Sequence, residues 1–266
     1  MKAQILATVA SAALLAGCSA AYGEDIETMA EANTETTAIP AGTGYFAADS
    51  TLPFKTPDFS QISEEDYIPA FEQGMAIQKA EIAAIIDNPA PPTFENTIVA
   101  LEKSGRMLGR VARVFFALTG SNTTDRLDDI NTEISPKLTA HGDSITLNPE
   151  LFARVKTVYD NRAAMTMTRE DAKLLEDTYK GMVHAGALLT EAQRERVKAI
   201  NSELSTVTTE FSQLARAAMN DNPVFFNSRE DLAGLSDSDI QAAADLAAEN
   251  GQPGKFAIAL QNTTQQ

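Results

Sequence analysis

The chain is short of the residues on which most enzyme chemistry depends. It holds one cysteine, Cys18, two histidines, His141 and His184, and no tryptophan. A single cysteine excludes an internal disulfide. The zinc-peptidase pattern His-Glu-x-x-His sets two ligands and a general base on one helix face. Here His141 is followed by Gly142-Asp143 and His184 by Ala185-Gly186, so no register yields that pattern. Gly-x-Ser-x-Gly, phosphate-loop and dinucleotide fingerprints are also missing. Asp125, Asp128, Asp129 and Asn131 form an acidic cluster without the spacing or central glycine of a calcium loop. Asp237 and Asp239 suit the first turn of a helix. No catalytic or metal-binding residue is assigned, and this chain is expected to bind no cofactor by itself.

Positive charge is scarce too. Lys and Arg number 21 against 37 Asp and Glu, a net charge of −16, which argues against nucleic acid as a partner. Glycine (14) and proline (11) are few, while Ala, Leu, Glu and Gln are plentiful, a balance that favours helix. At 266 residues and 44% hydrophobic content the chain is long enough and apolar enough for a substantial core.

The N-terminus carries a targeting pattern. Met1-Lys2 precedes an apolar run, Ile5 to Ala16, too short for a permanent membrane span. It closes on Leu15-Ala16-Gly17-Cys18, which resembles the lipobox of bacterial lipoproteins. That resemblance implies cleavage between Gly17 and Cys18 and a lipid on Cys18; the other reading is an ordinary signal peptide cut nearby. Ser19, where an Asp would retain a lipoprotein at the inner membrane, points to the outer membrane. The expected location is the bacterial envelope, on the periplasmic side, with the membrane as a partner through Cys18. Residues 18–49 are acidic and contain no Lys or Arg, so a disordered tether is expected there.

From Ser50 the pattern is helical. Ser63 to Asp66 reads as a helix cap before a stripe of Ile68, Phe71, Met75, Ile82 and Ile85, stopped by Asp87-Asn88-Pro89. A second stripe runs through Phe94, Ile98, Leu101, Leu108, Val111, Phe115 and Leu118. Gly105 lies on it, either as a close-approach point or as a weak point. Further helices are expected from Asp125 to Ser144, with a possible kink at Pro136, from Pro149, and from a cap at Thr168 to Gly186. The longest starts at Thr190. Its apolar positions, Val197, Ile200, Leu204, Val207, Phe211, Leu214 and Ala218, alternate steps of three and four, the pattern of a packed seam. Val224-Phe225-Phe226 and Phe256, Ile258 and Leu260 read as two strands of a small ribbon around a helix from Ser236 to Glu249. Phe115-Phe116 and Phe225-Phe226 read as core, the alternative being the wall of a peptide groove.

Several segments carry a family resemblance. They are Ser50-Thr-Leu-Pro-Phe54, Pro57-Asp58-Phe59, Asp66-Tyr-Ile-Pro-Ala-Phe-Glu-Gln-Gly-Met75, Glu95-Asn-Thr-Ile-Val-Ala-Leu-Glu-Lys-Ser-Gly105 and Arg110-Val-Ala-Arg-Val-Phe-Phe116. Together they resemble the N-terminal region of bacterial peptidyl-dipeptidases, a branch of the thimet-oligopeptidase family of zinc metallopeptidases. The resemblance spans about residues 50–266 and implies an almost wholly helical fold: helical layers with a short ribbon near the C-terminus, the front part of a larger metallopeptidase. It also implies release of dipeptides from the C-termini of short peptides, with zinc held by a later part of the chain. The family's ligands and base have no counterparts here, so this chain alone is expected to be inactive. The ending just after a two-stranded ribbon is expected to mark a truncation. The alternative is a complete, non-catalytic envelope lipoprotein whose helical domain binds peptides or a partner.

Overall fold

The computed structural model describes residues 39–259, so Gly17, Cys18, the apolar run before them and Leu260 lie outside the described residues. The described chain is mainly α-helical. It divides into two compact units: one runs up to Phe115 and resumes over Ile145–Leu188, and the other combines Phe116–Ser144 with the residues from Leu189 onward.

In the first unit, α1 (Tyr67–Ile86) follows a 3-10 turn at Glu64–Asp66. The Ser63 backbone N–H donates to the Asp66 carboxylate at 2.8 Å, and Ser63 Oγ donates to the same oxygen. This holds the Asp66 carboxyl below the usual carboxylate range. The buried face of α1 is Tyr67, Phe71, Gly74, Ile77, Ile82 and Ile85. The face is thus turned from the expected one: Tyr67 and Gly74 are buried, and their neighbours Ile68 and Met75 are only partly so. Gly74 supplies the physical reason, because a Cβ there would lie 2.9 Å from the Leu108 Cα. A bare backbone lets the two segments touch, which an apolar count along the helix cannot reveal.

The second stripe is not one helix. A π-helical turn (Phe94–Val99) leads into α2 (Ala100–Lys103), and the chain breaks at Ser104-Gly105 before α3 (Arg106–Ser121). Gly105 has φ +69°, its N–H donates to Glu81 Oε2 at 2.7 Å, and a Cβ would sit 2.4 Å from the Gln78 amide. Gly105 is therefore both a point of close approach and a helix break, in the left-handed region that glycine enters without penalty.

α5 (Pro149–Asp160) starts at an Asn148 cap and α6 (Arg169–Ala185) at a Thr168–Asp171 capping box, ending on Gly186 at φ 115°. They join α1 and the π turn around Ile82, Ile85, Ile98, Leu151, Val155 and Leu175. Arg154 pins the Asn88–Pro92 connection by donating to the carbonyls of Asn88 (2.9 Å) and Ala90 (3.3 Å). A second group of rings brings Phe115 to Tyr67 and Phe71, with centroids 5.1 and 5.3 Å apart.

The expected tether boundary at residue 50 falls too late. Tyr45–Ala47 form a 3-10 turn, Phe46 is buried, and Arg110 donates to the Phe46 and Ala47 carbonyls at 2.8 and 2.6 Å. Thr43, bonded both ways to Gln73, and Tyr45, which accepts from the Asp58 N–H, add to this docking of a stretch whose composition is otherwise that of a linker.

In the second unit, α4 (Asp125–Thr146) carries Pro136 within the helix and buries Leu127, Ile130 and Ile134. α7 (Glu191–Asp221) is the longest helix described. β1 (Val224–Phe226) pairs antiparallel with β2 (Phe256–Ile258) in the register Val224 to Ile258, and α8 (Asp237–Glu249) lies between them in sequence. Leu232, Ile240 and Ala243 form a small core with Phe226, Phe256 and Ile258. This cover on one face supports a ribbon that would be marginal alone.

Candidate functional site

The candidate groove lies in the second unit, between α4 and α7. It has a volume of about 600 Å³, lined by Phe116, Ser135, Leu138, Thr139, Asn201, Leu204, Ser205, Thr208 and Thr209. Phe116 comes from the last turns of α3, so of the Phe115-Phe116 pair one ring is core and the other, 43% exposed, faces the groove. Among the described residues no titratable side chain lines it. The two threonines of α7 spend their hydroxyls on their own helix: Thr209 Oγ1 donates to the Ser205 carbonyl at 2.9 Å and Thr208 Oγ1 to that of Leu204. Such a wall can bind by shape and apolar contact but cannot move a proton or hold a metal.

Polar bonds tie α7 to α4 beside the groove. Asn201 Nδ2 donates to Asp143 Oδ1 at 2.8 Å, while the other Asp143 oxygen is buried without a hydrogen-bond partner. Gln213 Nε2 donates to the Asp128 carbonyl at 3.0 Å, and Arg216 pairs with the Asp128 carboxylate at 2.5 Å. Arg216 also reaches the Thr119 carbonyl at 3.4 Å. The acidic cluster at the start of α4 is therefore structural in its best-placed member: Asp128 takes Arg216 and Thr123. Sequence reasoning missed Asn201, Gln213 and Arg216. Their signal was present, since they recur on the side of α7 opposite its apolar stripe, but a polar face at that spacing reads as solvent-exposed.

The seam expected to pack is the reverse of what α7 presents. Ile200, Leu204, Val207, Phe211 and Leu214 are 44, 56, 52, 71 and 70% exposed. The helix is held by its polar side because Asp143 and Asp128 on α4 offer carboxylates that need donors, and a buried carboxylate without one is costly.

The first unit has a smaller groove of about 430 Å³ that includes Asp49, Glu81, Arg106 and Arg110. Its charges are largely engaged. Arg110 holds the 46–49 segment and pairs with Asp49 at 3.2 Å, and Glu81 accepts from Gly105. The hydrogen bond from Lys55 does most to hold the Asp49 carboxyl below its ordinary range.

His141 is buried in α4, and His184 stands in the last turn of α6. Among the described residues no three His, Cys, Asp or Glu side chains cluster as a metal site requires. Asp237 pairs with Arg229, and Asp239 completes the cap at Ser236. Phe226 packs in the ribbon core.

No protein-family model matches the chain. Two curated relatives match strongly: a dipeptidyl carboxypeptidase of Escherichia coli, 42% identical over 221 residues, and one of Salmonella typhimurium, 39% identical over 217. These alignments cover 83% and 82% of this chain and 32% of each relative. An oligopeptidase A of Salmonella typhimurium is 21% identical over 201 residues, 76% of this chain and 30% of the relative. The chain thus spans about a third of the length of the curated relatives it matches.

Proposed function

Because this chain is homologous to the dipeptidyl carboxypeptidases over most of its length, we propose that it is the N-terminal, non-catalytic helical third of a peptidase that releases dipeptides from the C-termini of short peptides. The observation that carries the reading is the long, strong match to two such enzymes over a third of their length. Zinc does not fit the residues described here, which offer no cluster of three ligands. On this reading the metal, the base and the chemistry belong to the other two thirds, and no step of hydrolysis runs through a side chain of this chain. Its helices would form a wall that shapes access to the site, and short peptides would be the substrates of the whole enzyme.

The leader belongs to the same proposal. Cleavage between Gly17 and Cys18 and lipid attachment at Cys18 would anchor the enzyme on the periplasmic side of the envelope, at the outer membrane. Among the described residues no helix is long and apolar enough to cross a membrane.

The test is the mass of the native protein in its own cells, detected with an antibody against residues 50–266. A band far above 28.5 kDa, with dipeptide release that a chelator abolishes, is the expected result. A stable, abundant band near that mass, without such activity, would replace the peptidase with a non-catalytic envelope lipoprotein that binds peptides or a partner through its helices. Globomycin treatment, which blocks lipoprotein signal cleavage, should cause a precursor retaining residues 1–17 to accumulate; no change would remove the lipid anchor.

A further inference from the structure

The outward stripe of α7 has the alternating three- and four-residue steps of a helix-packing seam, yet it is largely exposed, with Leu204 at its edge also lining the groove beside α4. Ile200, Leu204, Val207, Phe211 and Leu214 lie along one line of a helix already fastened on its opposite, polar side. A contiguous line of large apolar side chains on a monomer marks an interaction surface. The strict alternation selects a helix as the complementary shape, since side chains at that spacing fill the holes of a facing helix. Glu203 and Glu210 run along one edge of the stripe, both exposed and with no ion-pair partner among the described residues.

These edges discriminate between occupants. In an antiparallel pair of α7 helices, Glu203 would face Glu210 of the second copy, and each copy brings a net charge of −16. Like charges across such an edge are unfavourable. A helix with Lys or Arg along its border fits instead. The relatives supply a source for one, because about two thirds of their length lies outside the region this chain matches.

We propose that the α7 stripe is the seat of an apolar helix with basic edge residues, contributed by the remaining two thirds of the peptidase polypeptide. This rests on the chain being part of a longer peptidase. The seat would lock the two parts of the enzyme together and convert an aggregation hazard into an internal seam.

Cysteine labelling tests it. Leu204→Cys and Leu214→Cys are compared with Ser202→Cys, an exposed position on the same helix but off the stripe. Each variant is prepared both as the 266-residue chain and as the native product of its own cells, reacted with a bulky maleimide, and read at the introduced cysteine alone by peptide mass, because Cys18 also carries a thiol. In the 266-residue chain all three should label at similar rates. In the native product the two stripe positions should label at least tenfold more slowly than Ser202→Cys, and Glu203→Lys with Glu210→Lys should restore much of their reactivity. A native polypeptide well above 28.5 kDa whose stripe labels freely overturns this proposal and leaves the peptidase reading intact. A native mass near 28.5 kDa overturns both. Protection already present in the 266-residue chain, with a dimer mass by sedimentation equilibrium, assigns the stripe to a second copy and overturns the choice of occupant.

Discussion

α1 and α7 both carry apolar residues at helical spacing, and their fates are opposite. In α1 the face is buried, with Phe71 fully inaccessible; in α7 Phe211 is 71% exposed. The difference does not lie in the stripes. It lies in what the neighbouring helix offers. The segment beside α1 presents backbone at Leu108 close enough that only Gly74 fits, together with the rings of Phe115. α4 presents the carboxylates of Asp128 and Asp143 to α7, where they take Arg216 and Asn201, and the Asp128 backbone carbonyl takes Gln213. Periodicity identifies an apolar face, but the surface available for pairing decides whether this chain covers it.

The largest expected effect separates the two phenylalanines. Phe71→Ala should cost about 3–5 kcal/mol of stability, as for a large ring removed from a closed core. Phe211→Ala should stay within about 0.5 kcal/mol in the 266-residue chain. Urea unfolding of the two variants checks this. A loss above about 2 kcal/mol for Phe211→Ala would mean the stripe is covered within this chain, and the comparison would collapse.

A glycine pair sharpens it. Gly74→Ala places a methyl 2.9 Å from the Leu108 Cα, a backbone atom that cannot rotate away, and should cost about 1–3 kcal/mol. Gly181→Ala in α6 meets nothing within 4 Å and should stabilise by about 0.5–1 kcal/mol through helix propensity. Equal effects at both sites would show that the close crossing of α1 is not what requires glycine.

The polar attachment of α7 is weaker. Arg216 and Asp128 are 32% and 26% exposed, so water screens their pair. Arg216→Met should cost about 1 kcal/mol or less. It should also speed amide exchange in the last turns of α7 more than in α1. Unchanged exchange would mean Gln213 and Asn201 suffice.

Much of this fold was legible in the sequence because helix ends are written in local chemistry. Thr168 with Asp171, Thr190 with Gln193 and Ser236 with Asp239 mark starts that the structure places where the capping residues stand. The ribbon was legible through its alternation and its flanking turns. The rotation of α1 was not, because it depends on Gly74 meeting Leu108 across the chain. The docking side of α7 was hidden for the same reason: Asp143 and Asn201 are far apart in sequence, and neither residue type announces burial. For the candidate site, the sequence shows directly only that neither His141 nor His184 stands in a His-Glu-x-x-His string. The groove itself could not be read there, since its lining of Ser, Thr, Leu and Asn resembles any helix surface.

The smallest effect belongs to Tyr67, the polar exception in the buried face of α1. Its ring is 2% exposed, and its hydroxyl is buried without a hydrogen-bond partner. Burial, with the nearby charges of Asp66 and Glu64 adding to it, pushes the phenol up to about 12. A phenol that ionises later in the folded than in the unfolded chain favours folding while neutral. Its contribution is complete below about pH 10 and is lost as pH rises toward 12. Tyr67→Phe keeps the ring contacts with Phe115 and removes only the unpartnered hydroxyl, so stability at pH 7 should change by less than about 0.5 kcal/mol. The variant should also resist alkali better, and the last tyrosinate step in an absorbance titration should vanish. A clear loss of stability at pH 7 would mean that the hydroxyl makes a bond that matters. The aromatic cluster of the first unit would then be held by polar contacts as α7 is, and the contrast between α1 and α7 would narrow.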